Sequence, residues 1–175
     1  MEEEKYYLNK DRMSVFIGSN GETKKQLEKI FECNININSE NGEILASSEN
    51  SINLFVLGHV INAINYGHNP KNAMLLEDEN FVFDIIDVKT LVRDNSRLKI
   101  VLGRIIGKEG STRKLIEEIT KCNIAVKDHF VTIIGPYENS ILVHEALDML
   151  IGGASHKSFY AYLEKNKSSE VTGLL

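Results

Sequence analysis

The chain repeats itself. Shifted by 89 residues, Ile17-Gly-Ser-Asn-Gly-Glu-Thr-Lys-Lys-Gln-Leu-Glu-Lys-Ile30 falls on Ile106-Gly-Lys-Glu-Gly-Ser-Thr-Arg-Lys-Leu-Ile-Glu-Glu-Ile119. Cys33-Asn34-Ile35 falls on Cys122-Asn123-Ile124, and Glu49-Asn50-Ser51-Ile52 on Glu138-Asn139-Ser140-Ile141. From Ile17 to Ile52, 15 of 36 positions are identical without a gap. Solenoid repeats run to about 20–50 residues, so this longer period points to two copies of one small domain. The boundary is expected near Gly67-His68-Asn69-Pro70, giving a first domain over 1–70. Residues 71–175 then hold a linker, the second domain and a C-terminal helix.

Each copy has the same local pattern. After the paired glycines, Glu22–Phe31 places Leu27, Ile30 and Phe31 at helical spacing with Lys24, Lys25 and Glu28 outward. The counterpart, Ser111–Thr120, turns Leu115, Ile116 and Ile119 inward, with Ser111 or Thr112 as its expected cap. Alternating runs follow at 34–38 and 43–46, and again at 123–126 and 130–134. They predict strand pairs, with Asn41-Gly42 as a hairpin turn. A longer apolar helix closes each copy, Ile52–Tyr66 and Ser140–Ile151. A short strand (Tyr6–Leu8; Phe81–Asp87) and a helical turn (Arg12–Ile17; Leu98–Ile106) precede each glycine pair. The order is β-α-(Gly-x-x-Gly)-α-β-β-α, twice.

Composition sets the class. With 42% apolar and 26% charged residues, two prolines and no Trp, the 175-residue chain is expected to be a soluble globular protein. No apolar run approaches the ~20 residues of a membrane span, and the acidic Met1-Glu-Glu-Glu-Lys5 start argues against a secretory signal. Two cysteines are too few for a disulfide framework. A reduced, cytoplasmic setting is the expectation. The net charge of −5 argues against coating of nucleic acid by global charge, though not against a local basic face.

The element order and the loops Ile17-Gly-Ser-Asn-Gly21 and Gly103-Arg-Ile-Ile-Gly-Lys-Glu-Gly110 resemble those of type I KH domains. The implied fold is α+β: two type I KH domains in tandem, each a three-stranded sheet covered by helices. Gly-Glu-Thr-Lys-Lys after the first loop, the linker Asn69-Pro-Lys-Asn-Ala-Met74, Ile85-Ile-Asp-Val88 and the closing Met149–Tyr160 segment narrow the resemblance. The chain is similar, over about residues 5 to 165, to the small-subunit ribosome assembly factor family called partner of the Nob endonuclease. Its length looks like that of an archaeal member. Archaeal relatives tend to carry a Lys in the first loop, where this chain has Ser19-Asn20. The resemblance implies a protein that binds single-stranded small-subunit ribosomal RNA near its 3′ end during rRNA processing. It also implies a PIN-domain endonuclease as partner, with the rRNA dimethyltransferase and translation initiation factor two as further partners.

The residues suit RNA on physical grounds as well. A KH loop clamps about four nucleotides of single strand, and its glycines admit phosphates that a Cβ would hold off. The loop opens a helix whose free N–H groups and positive dipole end face that phosphate. Residues 97–114 carry six basic side chains (Arg97, Lys99, Arg104, Lys108, Arg113, Lys114) against Glu109 alone. Residues 10–29 carry five (Lys10, Arg12, Lys24, Lys25, Lys29) against Asp11, Glu22 and Glu28. Phosphate contacts supply much of the affinity, so the second copy is the expected stronger binder. The candidate contacts are Arg104, Gly107, Lys108, Glu109, Gly110, Arg113 and Lys114, with Gly18, Ser19, Asn20, Gly21, Lys24 and Lys25 in the first copy.

No catalytic, metal or cofactor set is expected. Gly103–Glu109 is one residue short of a P-loop and has Glu where the magnesium-binding hydroxyl belongs. His144-Glu-Ala-Leu-Asp148 lacks the second His of a zinc helix and is expected to be surface. Cys33 and Cys122 read as core filling, Glu77-Asp-Glu79 as a solvated linker, and Tyr160 and Tyr162 as packing or partner contacts. The remaining alternatives are a general single-stranded RNA adaptor in decay or translation, an RNA-processing nuclease, or a protein-only scaffold on the KH fold.

Overall fold

A computed structural model describes residues 1–167 of the chain, which divides into two compact units after Glu79. The first runs β1 (Glu2–Tyr7), α1 (Met13–Ile17), α2 (Glu22–Ile30), β2 (Cys33–Asn38), β3 (Glu43–Ser48), α3 (Ser51–Asn65) and α4 (Pro70–Ala73). The second runs β4 (Phe81–Asp87), α5 (Val88–Leu91), α6 (Asn95–Ile106), α7 (Ser111–Thr120), β5 (Asn123–Lys127), β6 (Phe130–Pro136), α8 (Tyr137–Ile151) and α9 (His156–Asn166). The boundary lies beyond the expected residue 70 because the linker is not loose. Pro70 opens α4, the Asn69 side chain accepts from the Asn72 N–H at 2.8 Å, and Ala73 and Leu76 are buried with the segment packed on α3.

Both units have the expected α+β class. Each sheet has three antiparallel strands, in the orders β1-β3-β2 and β4-β6-β5. Strand alternation turns Cys33, Ile35, Ile44 and Ala46 to one face, where α3 lays Leu54, Leu57, Ile61 and Ile64. In the second unit Ile86, Ile124, Val131 and Ile133 on the sheet meet Val101, Ile105, Ile116, Val143, Leu147 and Leu150. There α9 adds Phe159 and Leu163, both fully buried. Among the described residues, β1 and β2 are the edge strands of the first sheet and β4 and β5 those of the second.

The gapless repeat breaks inside the hairpin. Asn41-Gly42 does sit in the first turn, but as the second half of a four-residue loop closed by the Asn38–Glu43 pair. The second hairpin closes on Lys127–Phe130, leaving only Asp128 and His129 in the loop. Accordingly Ile35 faces Ala46, whereas its equivalent Ile124 faces Ile133. The difference is two residues, and an even shift leaves every side chain on its own face of the sheet. Burial shows the 89-residue equivalence restored in the last helix, where Leu54 answers Val143, Leu57 answers Ala146 and Ile61 answers Leu150.

Both units leave the helix after the glycine loop, α2 or α7, through a non-glycine residue in the left-handed region, Glu32 (φ 45°) and its equivalent Lys121 (φ 57°). That conformation costs an L-residue roughly 1–2 kcal/mol. Lys121 is exposed, and its amide closes α7 on the Glu117 carbonyl at 2.9 Å, a bond that needs no side chain. Lys121→Gly is therefore expected to raise the unfolding free energy by about 1 kcal/mol, the strain relief exceeding the added chain entropy of Gly. Urea titration of the two proteins measures the difference.

Candidate nucleic-acid interface

The two glycine loops have one backbone despite different tips. Gly18, Asn20 and Gly21 lie at φ 73°, 53° and 75°, and Gly107, Glu109 and Gly110 at 74°, 54° and 76°. Four of these are the glycines that left-handed φ favours; Asn20 tolerates the region better than Glu109. The two glycines of a loop act differently. A Cβ on Gly107 would run into Thr112, and one on Gly18 into Thr23. The first glycine therefore lets the loop close over the first turn of the next helix. A Cβ on Gly21 would meet nothing within 4 Å, and one on Gly110 only Lys114 Cε at 4.0 Å. The second glycine keeps that face of the loop open.

Gly21 and Gly110 are also the caps of α2 and α7, and neither helix has a side chain capping its first turn. Ser111 and Thr112, the expected caps, do not cap. Ser111 is already helical at φ −61° and ψ −42°, and the Thr112 hydroxyl is turned under Gly107. The first amide of each helix closes the tip's own turn, Glu22 onto the Ser19 carbonyl and Ser111 onto that of Lys108, and among the described residues no cap side chain accepts from the amides that follow. That arrangement suits an anion.

The basic side chains divide into two groups. Arg104, an expected phosphate contact, donates to the carbonyls of Leu150 (2.9 Å) and Ala154, and Arg97 to that of Ile151 (3.3 Å). In the first unit Arg12 does the same, reaching the carbonyls of Ile64 (2.8 Å) and His68 (2.7 Å). These arginines bind carbonyls at and just beyond the C-terminal ends of α8 and α3, where those of Leu150 and Ile64 also accept from the Gly153 and Gly67 amides. Lys24 pairs with Glu28 at 3.0 Å, and Arg113 Nε lies 4.0 Å from Glu117. The same carboxylates also bind backbone. Glu28 accepts from the Ile35 N–H at 2.9 Å and Glu117 from the Ile124 N–H at 2.8 Å. They tie each loop-bearing helix to the outer strand beside it, β2 or β5. Lys99, Lys108 and Lys114 in one unit and Lys10, Lys25 and Lys29 in the other remain exposed. The raw excess of charge around the second loop shrinks to a local difference. Lys108 stands where the first loop has Ser19, and Ser111 where the first helix begins with Glu22.

Sequence reasoning missed the Thr under the glycine and the Glu tied to the strand. Both were visible as positions identical in the two copies, Thr23/Thr112 and Glu28/Glu117. The other candidates have structural surroundings. Cys33 and Cys122 are buried, and burial pushes both thiols up to about 11, so they stay protonated at neutral pH. His144, expected at the surface, is half-buried with Nδ1 2.5 Å from Asp84 Oδ2. It lines a groove of about 410 Å³ between β4 and α8 with Val82, Phe83, Tyr137, Ile141 and Glu145. That groove is on the sheet edge opposite β5, and its acidic rim does not suit phosphate. Among the described residues no cluster of three or more His, Cys, Asp or Glu side chains is placed to hold a metal ion. Among them no helix is long and apolar enough to cross a membrane.

Comparison with known proteins agrees with this geometry. The family description of a eukaryotic-type KH domain (KH-domain type I), in its form as the second KH domain of PNO1, matches residues 82–168. A KH domain-containing protein of Methanocaldococcus jannaschii is 31% identical over 163 residues, 91% of this chain and 72% of that protein. The pre-rRNA-processing protein PNO1 of Yarrowia lipolytica is 31% identical over 142 residues, 80% of this chain. This chain spans only 50% of that relative's length. A chain in the crystal structure of an a/eIF2alpha–aDim2p–rRNA complex from Pyrococcus horikoshii OT3 superposes with a TM-score of 0.83 at 34% identity. The match covers 94% of this chain and 93% of that one.

Three variants separate loop chemistry from support. Lys108→Asp combined with Glu109→Asp replaces a cation with a second acid at an exposed tip, so the fold should survive and RNA affinity should fall sharply. Ser19→Asp with Asn20→Asp should lose less, since no cation leaves. Affinity measured at several salt concentrations, after circular dichroism confirms folding, ranks the two loops; a larger loss from the first-loop pair refutes the ranking. Arg104→Ala should behave differently from either. It removes the guanidinium bonds to the carbonyls of Ala154 and of Leu150, the latter keeping the Gly153 N–H, and is expected to lower stability by about 1–3 kcal/mol, leaving the salt slope of RNA binding as in the wild type.

Proposed function

Because the chain belongs to the PNO1/Dim2 family of KH-domain proteins, we propose that it binds single-stranded ribosomal RNA, near the 3′ end of the small-subunit RNA, during ribosome assembly and pre-rRNA processing. The observation that carries this reading is the pair of superposable Gly-x-x-Gly turns. Each opens an uncapped helix, and each leaves its second glycine facing open space. A phosphate held there receives backbone N–H groups, the positive end of the helix dipole and, in the second unit, the exposed Lys108 and Lys114. The bases of the strand then run along the outer strand, β2 or β5, which α2 or α7 holds in place through Glu28 or Glu117.

The protein acts by binding and without catalysis of its own. Among the described residues no acid, base and nucleophile converge near either loop, and the thiols are held protonated by burial. Its role is to hold the RNA 3′ region for other factors in the cytoplasm. The partners consistent with that role are a PIN-domain endonuclease, which cuts near the bound segment, and the rRNA dimethyltransferase and translation initiation factor two. Apart from the initiation factor subunit named in the rRNA complex above, these partners follow from the family resemblance.

Crosslinking in cells followed by sequencing of the bound RNA tests the target. Reads concentrated near the 3′ end of small-subunit RNA are expected, and reads scattered over messenger RNA would replace this reading with a general adaptor. Incubation of the purified protein with labelled ribosomal RNA and a divalent metal tests the absence of catalysis. Intact RNA is expected; cleavage abolished by a point substitution would make the protein a nuclease.

A further inference from the structure

Helix α9 touches both helices that frame the second glycine loop. His156, in its first turn, donates Nε2–H to the carbonyl of Arg104 in the last turn of α6 at 3.0 Å. One turn later the Tyr160 hydroxyl donates to Thr112 Oγ1 in the first turn of α7 at 3.3 Å. The loop Gly107–Gly110 lies in the short stretch of chain between those two contacts. Thr112 is also the residue over which Gly107 closes, so the hydroxyl that Tyr160 holds lies directly beneath the loop. Phe159 and Leu163 fix α9 itself by full burial in the core. Arg104 adds a third tie by gripping the carbonyls of Leu150 and Ala154, which flank the turn into α9.

The first unit provides an internal comparison. Its loop has the same backbone and the same threonine under its first glycine. Thr23, however, is only half-buried, whereas Thr112 is 3% exposed. The loop geometry therefore forms without α9. What α9 adds is a hydrogen bond to each of the two framing helices from one element. A site already in its bound geometry has less conformational freedom to lose on binding.

We infer that α9 is a clamp on the second loop, with Tyr160 and His156 as positioning residues that hold Gly107–Gly110 ready for an RNA phosphate. The inference rests on the phosphate-binding reading of that loop. It predicts unequal loops for a reason independent of charge, and it makes α9 a handle through which any factor that displaces the helix would loosen the RNA.

The test uses the full chain and four variants: Tyr160→Phe, Thr112→Val, the double change, and Tyr162→Phe. Tyr162 is the control, since its hydroxyl donates to Glu145 at 2.7 Å and not to the loop helices. Amide exchange of the two loops and affinity for a labelled single-stranded RNA of the small-subunit 3′ end are measured together, with melting curves. Loss of one neutral hydrogen bond should speed exchange over 107–110 about two- to tenfold and weaken RNA binding by a similar factor in Tyr160→Phe. Exchange over 18–21 should be unchanged, and Tyr162→Phe should match the wild type. Because Tyr160 acts through Thr112, the double variant should lose no more than either single one. The inference is overturned if Tyr160→Phe lowers the melting temperature while loop exchange and affinity stay as in the wild type. It is equally overturned if the two single losses add. Should the wild type fail to bind the RNA, the proposed function falls, and loop exchange alone still decides whether α9 restrains the loop.

Discussion

The close approach of a glycine to the threonine five residues later organises each unit. Gly18 over Thr23 and Gly107 over Thr112 leave no room for a Cβ, and both glycines sit in the left-handed region. A chain that turns this tightly brings two successive helices into contact with only two residues between the glycines. Everything functional follows from that turn. The second helix starts with a glycine in the cap position, its first amides have no side-chain acceptor, and the second glycine faces open space. Replacing the first glycine would rebuild the corner, while the tip residues are free to differ, as Ser-Asn and Lys-Glu do.

The support of this corner absorbs more charge than it displays. Arg12, Arg97 and Arg104 belong to the basic surroundings of the loops, yet their guanidinium groups bind carbonyls at and just beyond the ends of α3 and α8. An arginine suits this role because its planar fork reaches two carbonyls at once, where a lysine offers a point charge. Glu28 and Glu117 likewise join helix to edge strand and hold Lys24 and Arg113 close. The charge available to a ligand is therefore a smaller set of lysines, similar in number in the two units, and the distinction between units rests on Lys108 and on Ser111 against Glu22.

Duplication gave the chain two copies of one corner, and the copies have since diverged in what surrounds them. The first hairpin has a longer loop, the first unit ends in the short α4 packed on α3, and the second carries α9 across the helices of its loop. The additions leave the shared backbone of the loops untouched. They change how firmly it is held and what charge decorates it, the two properties by which identical backbones can bind RNA with different strength.

The amino-acid sequence by itself determined the duplication, the element order, the α+β class and the position of both loops. These depend on short-range signals: glycines at fixed spacing, apolar residues at helical or alternating period, and identities between copies. Most helix and strand limits came out within about three residues, because caps and register act locally. The tertiary structure alone decided which arginines reach carbonyls about 50 residues away, that Thr112 lies under Gly107 and Tyr160 over Thr112, and that one hairpin is two residues shorter. It also decided that Ser111 is no cap and that the linker belongs to the first unit. The reason is physical: the partner of a long polar side chain depends on which helix end the fold brings within its reach. Charge and spacing in a sequence carry no record of that distance.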